Sequence, residues 1–97
     1  MSVMSDATRI RMVARTALVQ LDTLVDEGLR GAALEVLIDH AEALAVAPFA
    51  RVHRDPFPHL CRLRDVLEGL VGRTAQTLVT TLDDLIARSV KQPLDVR

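Results

Sequence analysis

Leucine, valine, isoleucine and alanine recur every three or four residues along almost the whole of this 97-residue chain. That spacing puts apolar side chains on one face of an α-helix, whereas a half-buried strand would alternate them every two residues. Between residues 6 and 90 the pattern is punctuated by glycine and proline at positions 28, 31, 48, 56, 58, 69 and 72. The chain is therefore expected to be all-α, with a few long helices.

These glycines and prolines divide the chain into predicted helices. Apolar spacing and flanking residues predict helices over about residues 6–27, 32–47, 56–71 and 73–90, with a connector over 48–55. Asp55 followed by Pro56 is typical of a helix start, because the carboxylate can cap free amides and proline's fixed φ suits the first turn. We expect a single helical domain over residues 1–97, with the helices packed antiparallel.

The segment Gly69–Gly72 leaves two architectures open. A break there gives four helices of similar length, and each glycine in a helix interior costs about 1 kcal/mol, which favours a break. A continuous helix from Pro56 to Val90 would extend about 52 Å, against about 33 Å for the first predicted helix. Its overhanging apolar end would need a second copy. The expected fold is an antiparallel bundle of three long helices, or four if the last breaks near Gly72, completed by dimerisation.

Composition argues against several classes of protein. A formal net charge of -1 lacks the generally basic surface of sequence-independent nucleic-acid binders. The chain has no Trp and no Tyr, so aromatic stacking platforms for single strands are missing. Cys61 is the single cysteine, which prevents an intrachain disulfide. Arginines interrupt the apolar pattern of the first 16 residues, so neither a signal peptide nor a membrane span is predicted, and we expect a cytoplasmic protein.

Charge is segregated along the helical pattern. Between residues 22 and 42 a single base, Arg30, faces the acids Asp22, Asp26, Glu27, Glu35, Asp39 and Glu42. Between residues 51 and 64 a single acid, Asp55, faces the bases Arg51, Arg54, Arg62 and Arg64. Complementary potentials on helices select a partner and its register, so this pattern favours helix-to-helix contact.

The first predicted helix has the opposite charge order to the one its dipole favours. Arg11 and Arg15 lie towards its N-terminus and acids lie towards its C-terminus, although the helix dipole stabilises the reverse arrangement. An antiparallel hairpin turning near residues 28–31 would bring Arg15 close to Glu42. We expect an Arg15–Glu42 contact to offset part of the unfavourable order.

A metal site is one alternative function. The segment from His53 to Cys61 contains four possible ligands, His53, Asp55, His59 and Cys61. Their spacing matches no standard zinc pattern, and His59 and Cys61 would point away from each other on a helix. Asp55 is better explained as a helix cap, and Cys61 as a small core residue. Zinc bound at His53, His59 and Cys61 remains the second alternative.

Nucleic-acid binding through the basic segment is the other alternative. Arg51, Arg54, Arg62 and Arg64 could belong to a helix-turn-helix, whose second helix would enter a DNA groove. The connector is about ten residues long, however, whereas that motif uses a short turn. Arg64–Glu68 and Arg62–Asp65 also have the spacing of local ion pairs on a helix. A DNA-binding regulator or antitoxin-like protein is therefore the less favoured interpretation.

The sequence shows neither a nucleophile with an adjacent base nor a glycine-rich phosphate loop, so we predict no enzyme activity and no cofactor. The favoured hypothesis is a non-enzymatic helical protein–protein interaction module, such as a small bacterial regulator, adaptor or chaperone. Its partner would be a second copy of the chain or another helical protein, without nucleic acid or membrane. The predicted partner-binding residues are Arg11, Arg15, Arg51, Arg54, Arg62 and Arg64.

Overall fold

A computed structural model describes residues 6–46 and 56–91 of the chain. The described residues form five helices: α1 Asp6–Val19, α2 Leu21–Asp26, α3 Ala32–Val46, α4 Phe57–Glu68 and α5 Arg73–Lys91. All the described residues are helical or belong to the segments that join the helices, which confirms the all-α class. Among these helices, none combines the length and the apolar character needed to traverse a lipid bilayer.

The four longer helices pack in a closed ring. α1 packs on α3, α3 on α4, α4 on α5, and α5 back on α1, while short α2 touches α1 and α5. Neighbours run antiparallel: Arg88 near the end of α5 contacts Asp6 at the start of α1, at 3.5 Å. Arg64 of α4 likewise contacts Asp83 of α5. The turns at residues 27–31 and 69–72 consequently lie at the same end of the bundle.

Leucine fills the centre of this ring. The largest fully buried side chains are Leu24, Leu29, Leu37, Leu44, Leu60, Leu63, Leu67 and Leu82. Burying one leucine side chain contributes about 1.5–3 kcal/mol, so these residues dominate the stability of the bundle. No polar or charged side chain is buried among the described residues. The described core is thus formed within one copy of the chain.

The first predicted helix, over residues 6–27, is wrong as a single element. It is divided at Gln20, whose ψ of 20° departs from the helical value of about −42°. Hydrogen bonds from Gln20 N to Thr16 O and from Leu24 N to Gln20 O continue across the division. The resulting bend turns Leu24 fully into the core and directs the end of α2 towards α5.

The turn after α2 is a Schellman motif. Leu29 N donates to Leu24 O and Gly28 N donates to Val25 O, both at 3.0 Å. Gly28 has a φ of 116°, a left-handed conformation that a side chain would strain. Leu29 is fully buried directly after this turn. The motif therefore satisfies the last carbonyls of α2 while it anchors the hairpin to the core.

The chain breaks at Gly69–Gly72, so the continuous helix that the sequence left open does not form. α4 ends at Glu68, three residues before the predicted boundary, and α5 begins at Arg73. The Glu27 carboxylate caps the new helix, because its oxygens accept hydrogen bonds from Thr74 N at 3.2 Å and Ala75 N at 3.1 Å. A Cβ at Gly72 would lie 1.9 Å from Glu27 Cδ. Glycine at this position therefore leaves room for the cap.

Threonines on the outer faces of the helices bond to their own helix. In α5 the hydroxyls of Thr77 and Thr80 donate to the carbonyls of Arg73 and Gln76, both at 3.0 Å. Thr81 makes the same bond to Thr77, at 3.2 Å. Each hydroxyl thus reaches back one helical turn, which satisfies its donor locally.

We expect Gly72→Ala to lower the free energy of unfolding, because the new methyl group displaces the Glu27 carboxylate from the amides of α5. Gly69→Ala is the matched control. Its Cβ would lie 3.6 Å from Val66 O, and its φ is −75°. That substitution should be neutral or stabilising by about 0.4–1 kcal/mol. Urea denaturation of both variants measures the difference, and equal effects would contradict the steric argument. In a Glu27→Ala background the Gly72→Ala penalty should shrink.

The cap also predicts a pH dependence. Partial desolvation raises the pKa of Glu27, but the hydrogen bonds from Ala75 and Thr74 outweigh it, so the pKa lies below its usual value. The stabilisation should therefore be complete above the unfolded-state pKa of about 4.3, and lost as the pH falls through the lower folded-state pKa. Unfolding curves for the wild type and Glu27→Gln should differ at neutral pH and converge in acid. A difference that stays constant would refute the assignment.

Candidate partner interface

The outward face of α1 exposes apolar side chains next to an arginine. Met12 is 50% exposed and Val19 is 83% exposed. They are seven residues apart, so they share a face of the helix, and exposed Arg15 lies between them. Arg15 forms no ion pair with any described residue. We call Met12, Arg15 and Val19 the α1 stripe.

Arg11 extends this basic character by one turn. It is half-buried, and its Nη2 donates to Thr8 Oγ1 at 3.5 Å. That long contact to a neutral hydroxyl leaves the charge of Arg11 uncompensated by any described carboxylate. The two predicted arginines of α1 are thus both available to an acidic surface.

An acidic row lies on the neighbouring helix. Glu35, Asp39 and Glu42 are exposed on α3, with the four- and three-residue spacing of a shared face. We call these three residues the α3 row, and within the described chain they have no ion-pair partner. The predicted Arg15–Glu42 contact is therefore not formed. Because α1 packs on α3, the helix that carries the basic and apolar stripe is a neighbour of the helix that carries the acidic row.

Arg64 differs from the other predicted partner-binding residues, because it is engaged within the fold. Its Nε donates to Asp83 Oδ1 of α5, and its Nη1 donates to Glu68 Oε1 at 2.9 Å. The hydrogen bond and charge of Asp83, followed by the charge of Glu68, raise the pKa of Arg64. The predicted Arg64–Glu68 pair is confirmed. Arg64 thus links α4 to α5, a role that the sequence spacing alone did not indicate.

The remaining predicted arginines do not share one surface with α1. Arg62 is exposed on α4 without an ion pair to Asp65, whose carboxylate lies 4.0 Å from Arg64 instead. α1 and α4 are not neighbours in the ring but occupy opposite corners. The residues Arg51 and Arg54 lie outside the described residues. The structure thus groups Arg11 with Arg15 and separates both from Arg62 and Arg64.

Two histidines that the sequence analysis did not pair face each other across α3 and α4. His40 Nδ1 and His59 Nδ1 are 2.8 Å apart, and the ring centroids are 5.0 Å apart with a tilt of 52°. Such a hydrogen bond needs a proton on one Nδ1 and a lone pair on the other. Sequence spacing gave no clear signal for this pair, because His40 lies six residues before the end of α3 and His59 only two residues after the start of α4.

Only some of the predicted zinc ligands lie within the described residues. His59 and half-buried Cys61 lie on α4, whereas His53 and Asp55 lie outside the described residues. Within the described ranges, no group of three or more His, Cys, Asp or Glu side chains is close enough to hold a metal ion. The three-ligand site therefore stays a prediction.

An open groove of about 340 Å³ lies between the end of α4 and the first turns of α5. Its walls combine apolar and polar side chains, from Leu67, Glu68, Leu70, Gln76, Val79 and Thr80. The one ionisable residue in this lining, Glu68, is held by Arg64. The groove offers apolar contact rather than a pair of groups for acid–base chemistry.

We expect Arg64→Gln to lower the thermal unfolding midpoint, because it removes the ion pair between Arg64 of α4 and Asp83 of α5. Arg62→Gln, two residues away and without an ion pair among the described residues, is the matched control and should leave the midpoint unchanged. Thermal melts followed by far-ultraviolet circular dichroism measure both. An Arg64→Gln variant as stable as Arg62→Gln would show that the ion pairs contribute nothing to the fold.

Comparison with known proteins gives no family assignment: no protein-family model, no curated protein and no solved structure matches the chain. The function must accordingly be argued from the residues of this chain and their arrangement.

Proposed function

We propose that this protein is a non-enzymatic helical interaction module, and that its α1–α3 face binds a second copy of the chain. The observation that carries the proposal is that the α1 stripe and the α3 row lie on neighbouring helices, both exposed and without ion-pair partners among the described residues. A surface that is positive on one side and negative on the other is complementary to itself. Two copies related by a two-fold axis match each stripe with the partner's row.

Apolar and charged groups have different tasks in this interface. Burial of Met12 and Val19 supplies affinity, because removing apolar surface from water is the main favourable term in association. Exposed ion pairs contribute only about 0–1 kcal/mol each, so the charges chiefly select the partner and its orientation. The resulting dimer is expected to be salt-sensitive and reversible. This behaviour suits a small cytoplasmic regulator, adaptor or chaperone that exchanges partners.

The closed leucine core bears on the kind of dimer that is proposed. Each copy buries its own central leucines, and the described core contains them without side chains from a second copy. Monomers are therefore expected to stay folded after dissociation. Dimerisation then joins two domains that are already folded, and neither domain depends on it for folding.

Sedimentation equilibrium on the full chain tests the proposal. We expect self-association that weakens as salt is raised, because screening reduces contacts between exposed charges. Substituting Met12→Ser together with Val19→Ser should abolish it, while Arg62→Glu on the opposite corner of the ring should leave it unchanged. A wild type that is monomeric at every concentration and salt would contradict self-binding.

A charge exchange tests the pairing of stripe with row. The variant Arg11→Glu/Arg15→Glu carries two negative surfaces, and Asp39→Arg/Glu42→Arg carries two positive ones. Neither should self-associate, because each would oppose like charges. An equimolar mixture should form a heterodimer, since every contact between the two variants is then matched. Failure of the mixture to associate, with both variants fully helical, would refute this arrangement.

A further inference from the structure

The contact between His40 and His59 has no part in the proposed interface and has a chemistry of its own. The residues next to them in sequence, Ala41 and Leu60, are fully buried, so packing fixes the backbone on both sides of the pair. Both rings are half-buried between antiparallel helices. Metal sites of helical bundles are built in this way, from side chains on facing helices.

The two Nδ1 atoms are close enough to bind one ion together. Their separation in the hydrogen bond is 2.8 Å. Ligands about 2.0 Å from a metal are about 2.8 Å apart at a right angle and about 3.3 Å apart at a tetrahedral angle, so a small turn of each ring reaches either geometry. The choice of metal therefore follows from relative affinity, which is highest for copper among the divalent first-row metals.

We propose that His40 and His59 form a two-histidine chelate for Cu²⁺. Each ring supplies the lone pair of Nδ1, and the ion takes the place of the proton now shared between the two nitrogens. The ring that carries this proton on Nδ1 transfers it to Nε2, so both neutral rings keep one N–H and no proton is released. Each ring turns so that its lone pair leaves the line joining the nitrogens and points at the ion.

The described residues supply two protein ligands and no third one, since they contain no cluster of three candidate ligands. Water completes the coordination sphere. Copper lies at the top of the stability order of the divalent first-row metals, so its affinity should exceed those of nickel and zinc. The site differs from the one predicted from sequence, because His40 replaces His53 and Cys61 as the partner of His59.

Calorimetric titration of the metal-free, tag-free full chain with Cu²⁺ tests the proposal. We expect one equivalent to bind, with His40→Gln and His59→Gln each weakening the affinity. Loss of a supporting residue around a metal already costs roughly 10- to 100-fold, so loss of a ligand should cost at least as much. His53→Gln is the matched control and should bind as the wild type does. Circular dichroism checks that each variant keeps its helices.

Electron paramagnetic resonance of the wild type gives a readout that needs no variant. Hyperfine coupling to two imidazole nitrogens supports the chelate, and coupling to one nitrogen overturns it. The proposal is equally overturned if the wild type binds no copper, or if His40→Gln binds it unchanged. Dependence on His53 and His59 without His40 would overturn it in favour of the site predicted from sequence.

Discussion

The carboxylate of Glu27 accepts hydrogen bonds from the backbone amides of Thr74 and Ala75, which lie 47 and 48 residues later in the chain. Glu27 lies directly after α2, and its carboxylate caps the first turn of α5. The cap thereby holds the segment between α4 and α5 against the end of α2. Gly72 leaves the space that this carboxylate occupies. The cap therefore stabilises the turn that lets α4 and α5 pack antiparallel in the ring.

A closed core shifts the question of function to the surface, where the arginines fall into two groups. Arg64 and Arg88 are engaged with acids of their own chain, and Arg88 also joins α5 to the start of α1. Arg11 and Arg15 have no such partner among the described residues. This division, rather than the total charge, marks α1 as a helix with two neighbouring arginines whose charges are left for another molecule.

Apolar spacing was enough to predict the helices, because burying a leucine stripe depends on local periodicity. The ends of α3 and the start of α5 lie within one residue of the positions predicted from glycine and proline. The bend at Gln20 was missed because no glycine or proline marks it, and it arises from the packing of α2 on α5. The Gly69–Gly72 break could not be decided, since the carboxylate that caps α5 comes from a distant segment. Within the candidate site, the Arg64–Glu68 ion pair could be predicted from residue spacing on one helix. The Arg64–Asp83 ion pair and the His40–His59 contact could not, because each joins two helices whose relative position the sequence does not give.

The threonine-rich outer face of α5 is less hydrophilic than its composition implies. Because Thr77, Thr80 and Thr81 donate their hydroxyl protons to carbonyls one turn earlier, each offers solvent a methyl group and a lone pair instead of a donor. Water at these three positions can donate hydrogen bonds but accepts few. Donors on this side of the helix come instead from exposed arginines such as Arg88.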